Sequence, residues 1–151
     1  MNVYDNMKAL GITLPEAPAK GGLYNPCKIV GGMAYISGCG CNIGDDIAAG
    51  RIGSDFTLEE GQALARRSML NVLAVLQRAV GDLNRVRPVK ILVFVSSDND
   101  FFRQSDVANG ASGLLYDLFG GEEGLPARSA IGVNVLPGNL PVEIEAIFSV
   151  D

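Results

Sequence analysis

Histidine and tryptophan are absent from the 151 residues, cysteine occurs three times, and only 19% of the chain is charged. Without histidine there is no Ser-His-Asp triad, no Cys-His dyad, no HExxH zinc site and no imidazole general base. Cys27, Cys39 and Cys41 are an odd number with no CxxC pair, so they read as free thiols in a reducing compartment and not as a disulfide framework or zinc site. No run of about 20 apolar residues occurs, and the N-terminus lacks the basic and apolar regions of a secretion signal, so a soluble, cytosolic protein is expected, without a membrane partner. Lys/Arg clusters are missing too. With 12 basic and 17 acidic residues the net charge is −5, which opposes the phosphate neutralisation that nucleic-acid binding needs.

The size fits a single domain over residues 1–151. A charged fraction below the usual ~25% leaves part of the surface suited to burial against another subunit. Residues Asp5 to Leu10 read as a short helix stopped by Gly11, with Pro15 and Pro18 in an extended arm, so that helix and arm occupy about residues 1–20. Cys27–Val30 and Ala34–Ser37 around Gly31-Gly32 give a hairpin signal, and Gly38 to Ser54 reads as loop with at most short strands.

Thr57-Leu58-Glu59-Glu60 predicts a capping box, followed by apolar residues at Met69, Val72, Leu73, Leu76 and Val80 up to Gly81. A second helix is expected from about Phe102 to Phe119, with Val107, Ala111, Leu114, Leu115 and Leu118 on one face. Gly110 and Gly113 weaken its middle by roughly 1 kcal/mol each relative to Ala. Between the helices, Pro88 to Ser97 reads as a strand, with Val89, Ile91, Val93 and Val95 on one face and Leu92 and Phe94 on the other. Two further strands follow, Ala127–Leu136 and Pro141–Val150, which the turn Pro137-Gly138-Asn139 would make antiparallel neighbours.

The order ββ-α-β-α-ββ predicts an α+β fold, a mixed sheet with two helices packed on one face. The strand from Pro88 is apolar on both faces, and no remaining segment is long enough to cover the second. A partner subunit is the expected cover.

Arg128 lies where the loop Gly124-Leu125-Pro126-Ala127 enters an apolar strand. It is either a solvated strand-end arginine or a guanidinium fork for a substrate carboxylate. Glu143 and Glu145 share one face of the last strand, as a solvent-facing edge or as part of a cleft between subunits. Tyr24, in a Gly/Pro loop, either plugs a gap or flanks a ligand. The glycine-rich turn Ser37-Gly38-Cys39-Gly40-Cys41 matches no phosphate-loop pattern, and no His or neighbouring Lys lowers a thiol pKa there. Asn109 is either exposed or projects into a cleft.

Ser37-Gly38 after a hairpin strand, Asn109 in the second helix, Pro126-Ala127-Arg128-Ser129 and Val142-Glu143-Ile144-Glu145-Ala146 together resemble the RidA/YjgF family of reactive-intermediate deaminases, also called L-PSP endoribonuclease-like. The resemblance spans about Pro18 to Val150 and is closest to a branch with a longer N-terminus. It implies a chorismate-mutase-like fold and a homotrimer with three clefts between subunits. In those clefts Arg128 would bind the substrate carboxylate and Glu143 would orient the hydrolytic water. Tyr24, Ser37 and Asn109 would line the cleft, and the Ala130 carbonyl would help hold the water. Two positions depart from the family pattern: Cys39 stands where Gln is common, and Ala130 where Cys is frequent.

The implied activity is hydrolysis of 2-imino or 2-enamino acids to 2-oxo acids and ammonia, with neither metal nor organic cofactor. The alternative is a trimeric module that binds a small carboxylate without turnover. An endoribonuclease fits less well, given the net charge and the missing histidines. A chorismate-mutase-type isomerase would rest on fold analogy alone.

Overall fold

The computed structural model describes residues 2–151. Helix α1 (Val3–Ala9) begins two residues earlier than expected, because Asn2 caps it by accepting hydrogen bonds from the Tyr4 and Asp5 amides. It docks firmly. Val3 is fully buried and its N–H donates to Asn84 Oδ1 at 2.8 Å, the Leu83 N–H donates to the Tyr4 hydroxyl at 2.8 Å, and Asn6 Nδ2 donates to the Leu118 carbonyl at 2.9 Å.

Strands β1 (Cys27–Val30) and β2 (Met33–Gly40) form the expected hairpin. Gly31 and Gly32 both have positive φ, as a tight two-residue turn requires. The following loop is held by single bridges, Ile43 to Asp46 and Ile52 to Phe56 and Ser97. Helix α2 (Leu58–Val80) carries both halves of the Thr57/Glu60 capping box and ends at Gly81, φ 82°. Its stripe from Met69 to Leu76 is buried. Strand β3 (Val86–Ser96), helix α3 (Gln104–Leu118), β4 (Ala127–Val133) and β5 (Val142–Val150) complete the order.

The sheet runs β1-β2-β5-β3-β4, and β3 with β4 is its parallel pair. This corrects the expected β4–β5 hairpin. After α3 the chain returns parallel to β3 as an outer strand, and residues 134–141 then carry it back so that β5 inserts between β2 and β3, antiparallel to both. Burial explains the choice. Val142, Ile144, Ala146 and Phe148 are all buried against the helices, which a central position provides. Val89 also departs from the expected alternation: the β3–β5 register shifts between Pro88 and Lys90, leaving Val89 exposed.

Both long helices cover one face of the sheet. Ile91, Val93 and Val95 join the β5 residues, Val72, Leu76, Leu114 and Leu118 in one core. The helices approach closely at Gly110, where a Cβ would stand 1.9 Å from the Gln62 carbonyl oxygen. The opposite face carries Tyr35 and Ile131, 47% and 43% exposed, beside half-buried Leu92, Phe94 and Ile147. Among the described residues no helix is long and apolar enough to cross a membrane.

Candidate functional site

The strand order sets where the chemistry lies. Arg128 stands opposite Ile91, which stands opposite Ala146, whereas Glu143 stands opposite Phe94 and Gly40. The two residues are therefore separated along the sheet with β3 between them. They also face opposite ways, Arg128 toward α3 and Glu143 toward the uncovered side. The candidate residues therefore fall into two separate groups on the chain.

The first is built around a break in β2. The β2–β5 register shifts between Ile36 and Cys39, so Ser37 and Gly38 bulge out of the ladder. Ser37 ties this bulge to the preceding loop: its hydroxyl donates to the Asn25 carbonyl at 2.7 Å and its N–H to the Pro26 carbonyl at 2.9 Å. Tyr24 stands in that loop with its hydroxyl accepting from the Gly21 N–H at 2.9 Å. Together they form one wall of a cleft of about 480 Å³, lined also by Lys20, Cys39, Leu140 and Glu143. The Glu143 side chain lies across Gly38, where a Cβ would sit 2.9 Å from its carboxyl carbon. A glycine is needed there for the carboxylate to reach this position.

Burial pushes the Glu143 carboxyl above its ordinary range, and the charge of Glu145 pushes the same way. Burial, with Glu143 adding to it, pushes the Cys39 thiol up to about 12. Cys39 is thus a packed, protonated side chain and not a nucleophile. Because the Glu143 pKa is raised on folding, its contribution to stability is fully present below the unfolded value and is lost as pH rises through the folded value. Glu143→Gln is therefore expected to raise the unfolding midpoint relative to wild type at neutral pH, and to lose that advantage near about pH 3, where the wild-type carboxyl is protonated in both states. An advantage of equal size at both pH values would show that the carboxylate charge is not its cause.

The second group is Arg128 on β4 against α3. Nη1 donates to Asn109 Oδ1 at 2.8 Å and to Ser112 Oγ at 3.2 Å, and Nη2 donates to Ser105 Oγ at 2.8 Å. No ion pair among the described residues includes Arg128 or Glu143. Ala130 lies two residues along β4, opposite Val93 and packed against the core, away from Glu143.

So the structure brings together Tyr24, Ser37 and Glu143, and separately Arg128 and Asn109. Sequence reasoning missed Ser105, Ser112 and Lys20. The 105/109/112 spacing of polar residues along one helix face was the available signal for the first two. A larger concavity of about 620 Å³ on the uncovered sheet face, lined by Lys28, Tyr35, Lys90 and Glu145 among others, is not lined by Arg128 or Glu143.

Comparison with known proteins agrees with this architecture. A family model described as "YjgF/chorismate_mutase-like, putative endoribonuclease" matches residues 5–145. The Trypanosoma cruzi protein TCP17 is 42% identical over 148 residues, covering 97% of this chain and 92% of its own. The mouse 2-iminobutanoate/2-iminopropanoate deaminase is 33% identical over 136 residues, covering 90% and 87%. The crystal structure of a protein of unknown function from Agrobacterium tumefaciens superposes with a TM-score of 0.88 at 36% identity, over 99% of this chain and 92% of the other.

Proposed function

This chain belongs to the YjgF/chorismate-mutase-like family, and on that premise we propose that it hydrolyses 2-imino acids to 2-oxo acids and ammonia in clefts between the subunits of a cytoplasmic homotrimer. The family includes 2-iminobutanoate/2-iminopropanoate deaminases at 30–34% identity to this chain. The observation that carries the reading is a pair of charges without ion-pair partners among the described residues: the Arg128 guanidinium and the desolvated Glu143 carboxylate, on opposite faces of one sheet. Each half-site is completed if it meets the other half from a neighbouring subunit. The apolar sheet face holding Tyr35, Leu92, Phe94 and Ile131 supplies the surface for that assembly.

In this cleft Arg128 takes the substrate carboxylate, and Asn109, Tyr24 and Ser37 line the remainder. A water held beside Glu143, with help from the Ala130 carbonyl, attacks the C=N carbon of the protonated imine. Glu143 accepts the water's proton as the C–O bond forms and returns it to the nitrogen. As the C–N bond breaks, Glu143 takes the proton from the hydroxyl oxygen, which becomes the 2-oxo acid's carbonyl, and passes it to the departing ammonia, which leaves as ammonium. A carboxyl raised above its ordinary range is better placed to exchange that proton near neutral pH. The barrier is modest, so fixing the two partners supplies most of the acceleration.

The test generates imine in situ with an amino-acid oxidase and follows trapping of the residual imine. Faster disappearance with wild type, lost in Glu143→Gln, is the expected result. No acceleration across several amino-acid precursors would overturn the deaminase and leave the cleft as a carboxylate-binding site.

A further inference from the structure

Arg128 is held in an unusual way for a partly buried arginine: all three of its acceptors are neutral oxygens on one face of α3. A carboxylate is close by in sequence, on the same helix. Asp106, however, is turned to Arg103, with Nε to Oδ2 at 2.8 Å. A structural ion pair would have placed that charge, or another, on Arg128. A guanidinium has five N–H donors. Nη1 spends both of its hydrogens on Asn109 and Ser112, and Nη2 spends one on Ser105. What remains is Nε–H and one Nη2–H, with the positive charge undiminished.

From this cradle we infer that Ser105 and Ser112 are positioning residues: their hydroxyls fix the Arg128 guanidinium so that the Nε/Nη2 side is presented to a carboxylate. The inference rests on the reading of Arg128 as the carboxylate anchor and extends it to two residues that touch no substrate. Ser105 is exposed and Ser112 half-buried, and they lie one turn on either side of Asn109, so the three acceptors share one face of α3. The cradle accepts hydrogen bonds without cancelling charge. That leaves recognition to the ligand's own negative charge and disfavours neutral analogues. Without the hydroxyls the arginine keeps Asn109 on Nη1 alone and swings about that contact, so the fork must be ordered anew for each ligand.

The experiment compares wild type, Ser105→Ala/Ser112→Ala, Ser105→Thr/Ser112→Thr and Arg128→Ala. It titrates pyruvate as the carboxylate probe and measures imine hydrolysis in parallel. The double alanine variant is expected to bind pyruvate about tenfold more weakly and to raise KM by a similar factor, while kcat falls less than about twofold. Restoring the hydroxyls as threonines is expected to return both values to within about twofold of wild type. Pyruvate binding by the double alanine variant equal to wild type, with Arg128→Ala weakened, would overturn the role of the two hydroxyls while leaving Arg128 as the anchor. Binding untouched by Arg128→Ala would remove the anchor and this inference with it. Should the double variant unfold, Ser105→Ala alone, at an exposed position, carries the same comparison.

Discussion

Arg128→Ala is expected to slow imine hydrolysis by about a hundredfold or more, since two charge-assisted hydrogen bonds to the substrate carboxylate are together worth about 2.7 kcal/mol at least. In the proposed homotrimer this loss is expected to be repairable in trans. Arg128 and Glu143 cannot meet within one chain, so a cleft built from two subunits takes its arginine from one and its carboxylate from the other. In a mixed trimer of Arg128→Ala and Glu143→Gln subunits, one of the three clefts receives both native residues, whichever variant is in excess. Random mixing in equal amounts leaves about three trimers in four mixed, and so restores roughly a quarter of wild-type activity from two inactive proteins. Co-expression with two different tags and tandem purification isolates the mixed trimers, for which the imine assay is expected to read about a third of wild-type activity. Mixed trimers as inactive as either parent would refute the shared cleft, and so would a solution mass of one subunit.

Gly110→Ala is expected to destabilise the fold by about 3 kcal/mol, a fall in unfolding midpoint of about 6–12 °C for a chain of this size. In an isolated helix the same change would stabilise by about 1 kcal/mol. Packing reverses the sign. The new methyl would sit 1.9 Å from the Gln62 carbonyl oxygen and 2.7 Å from its carbon, and those are backbone atoms of α2 that no rotamer change can clear. The helices must separate or one must shift, which loosens the packing of the buried core to which Leu64, Val107 and Ala111 belong. Gly113 is the control. A Cβ there meets nothing within 4 Å and the residue is exposed, so Gly113→Ala is expected to stabilise by up to about 1 kcal/mol. Thermal unfolding of the two variants side by side separates the explanations. Equal shifts of the same sign would mean that helix propensity, not the approach to Gln62, governs both.

The two glycines also show what a sequence can and cannot reveal. Their cost to the helix is legible from propensity alone. The reason Gly110 is there is not, because it depends on which residue of α2 faces it. Local signals served well where local forces decide: the Thr57/Glu60 box, the buried stripes of α2 and α3, and the Gly31-Gly32 turn all formed as read. The β4–β5 neighbourhood failed because a short turn signal was set against a long-range demand. β5 needs burial for four apolar side chains, and the centre of the sheet provides it. Val89 was misplaced for a related reason, as strict alternation does not anticipate a bulge. Among the site residues, Arg128 and Glu143 were visible as charges in apolar strands. Gly38 as a seat for Glu143, and Ser105 and Ser112 as acceptors for Arg128, emerge only when strands and helix are placed side by side.

The position of β5 has a consequence for how this chain is made. It is the last of the five strands to be synthesised, yet it fills the centre of the sheet. Until it leaves the ribosome, β1-β2 and β3-β4 are two ribbons that share no ladder, each with an open edge toward the vacant middle. The nascent protein therefore cannot complete its sheet before β5 has emerged and must keep two sticky edges apart until that strand arrives. That same strand carries Glu143, so closure of the sheet and arrival of the carboxylate in its cleft are one event, and a chain made only as far as β4 holds neither.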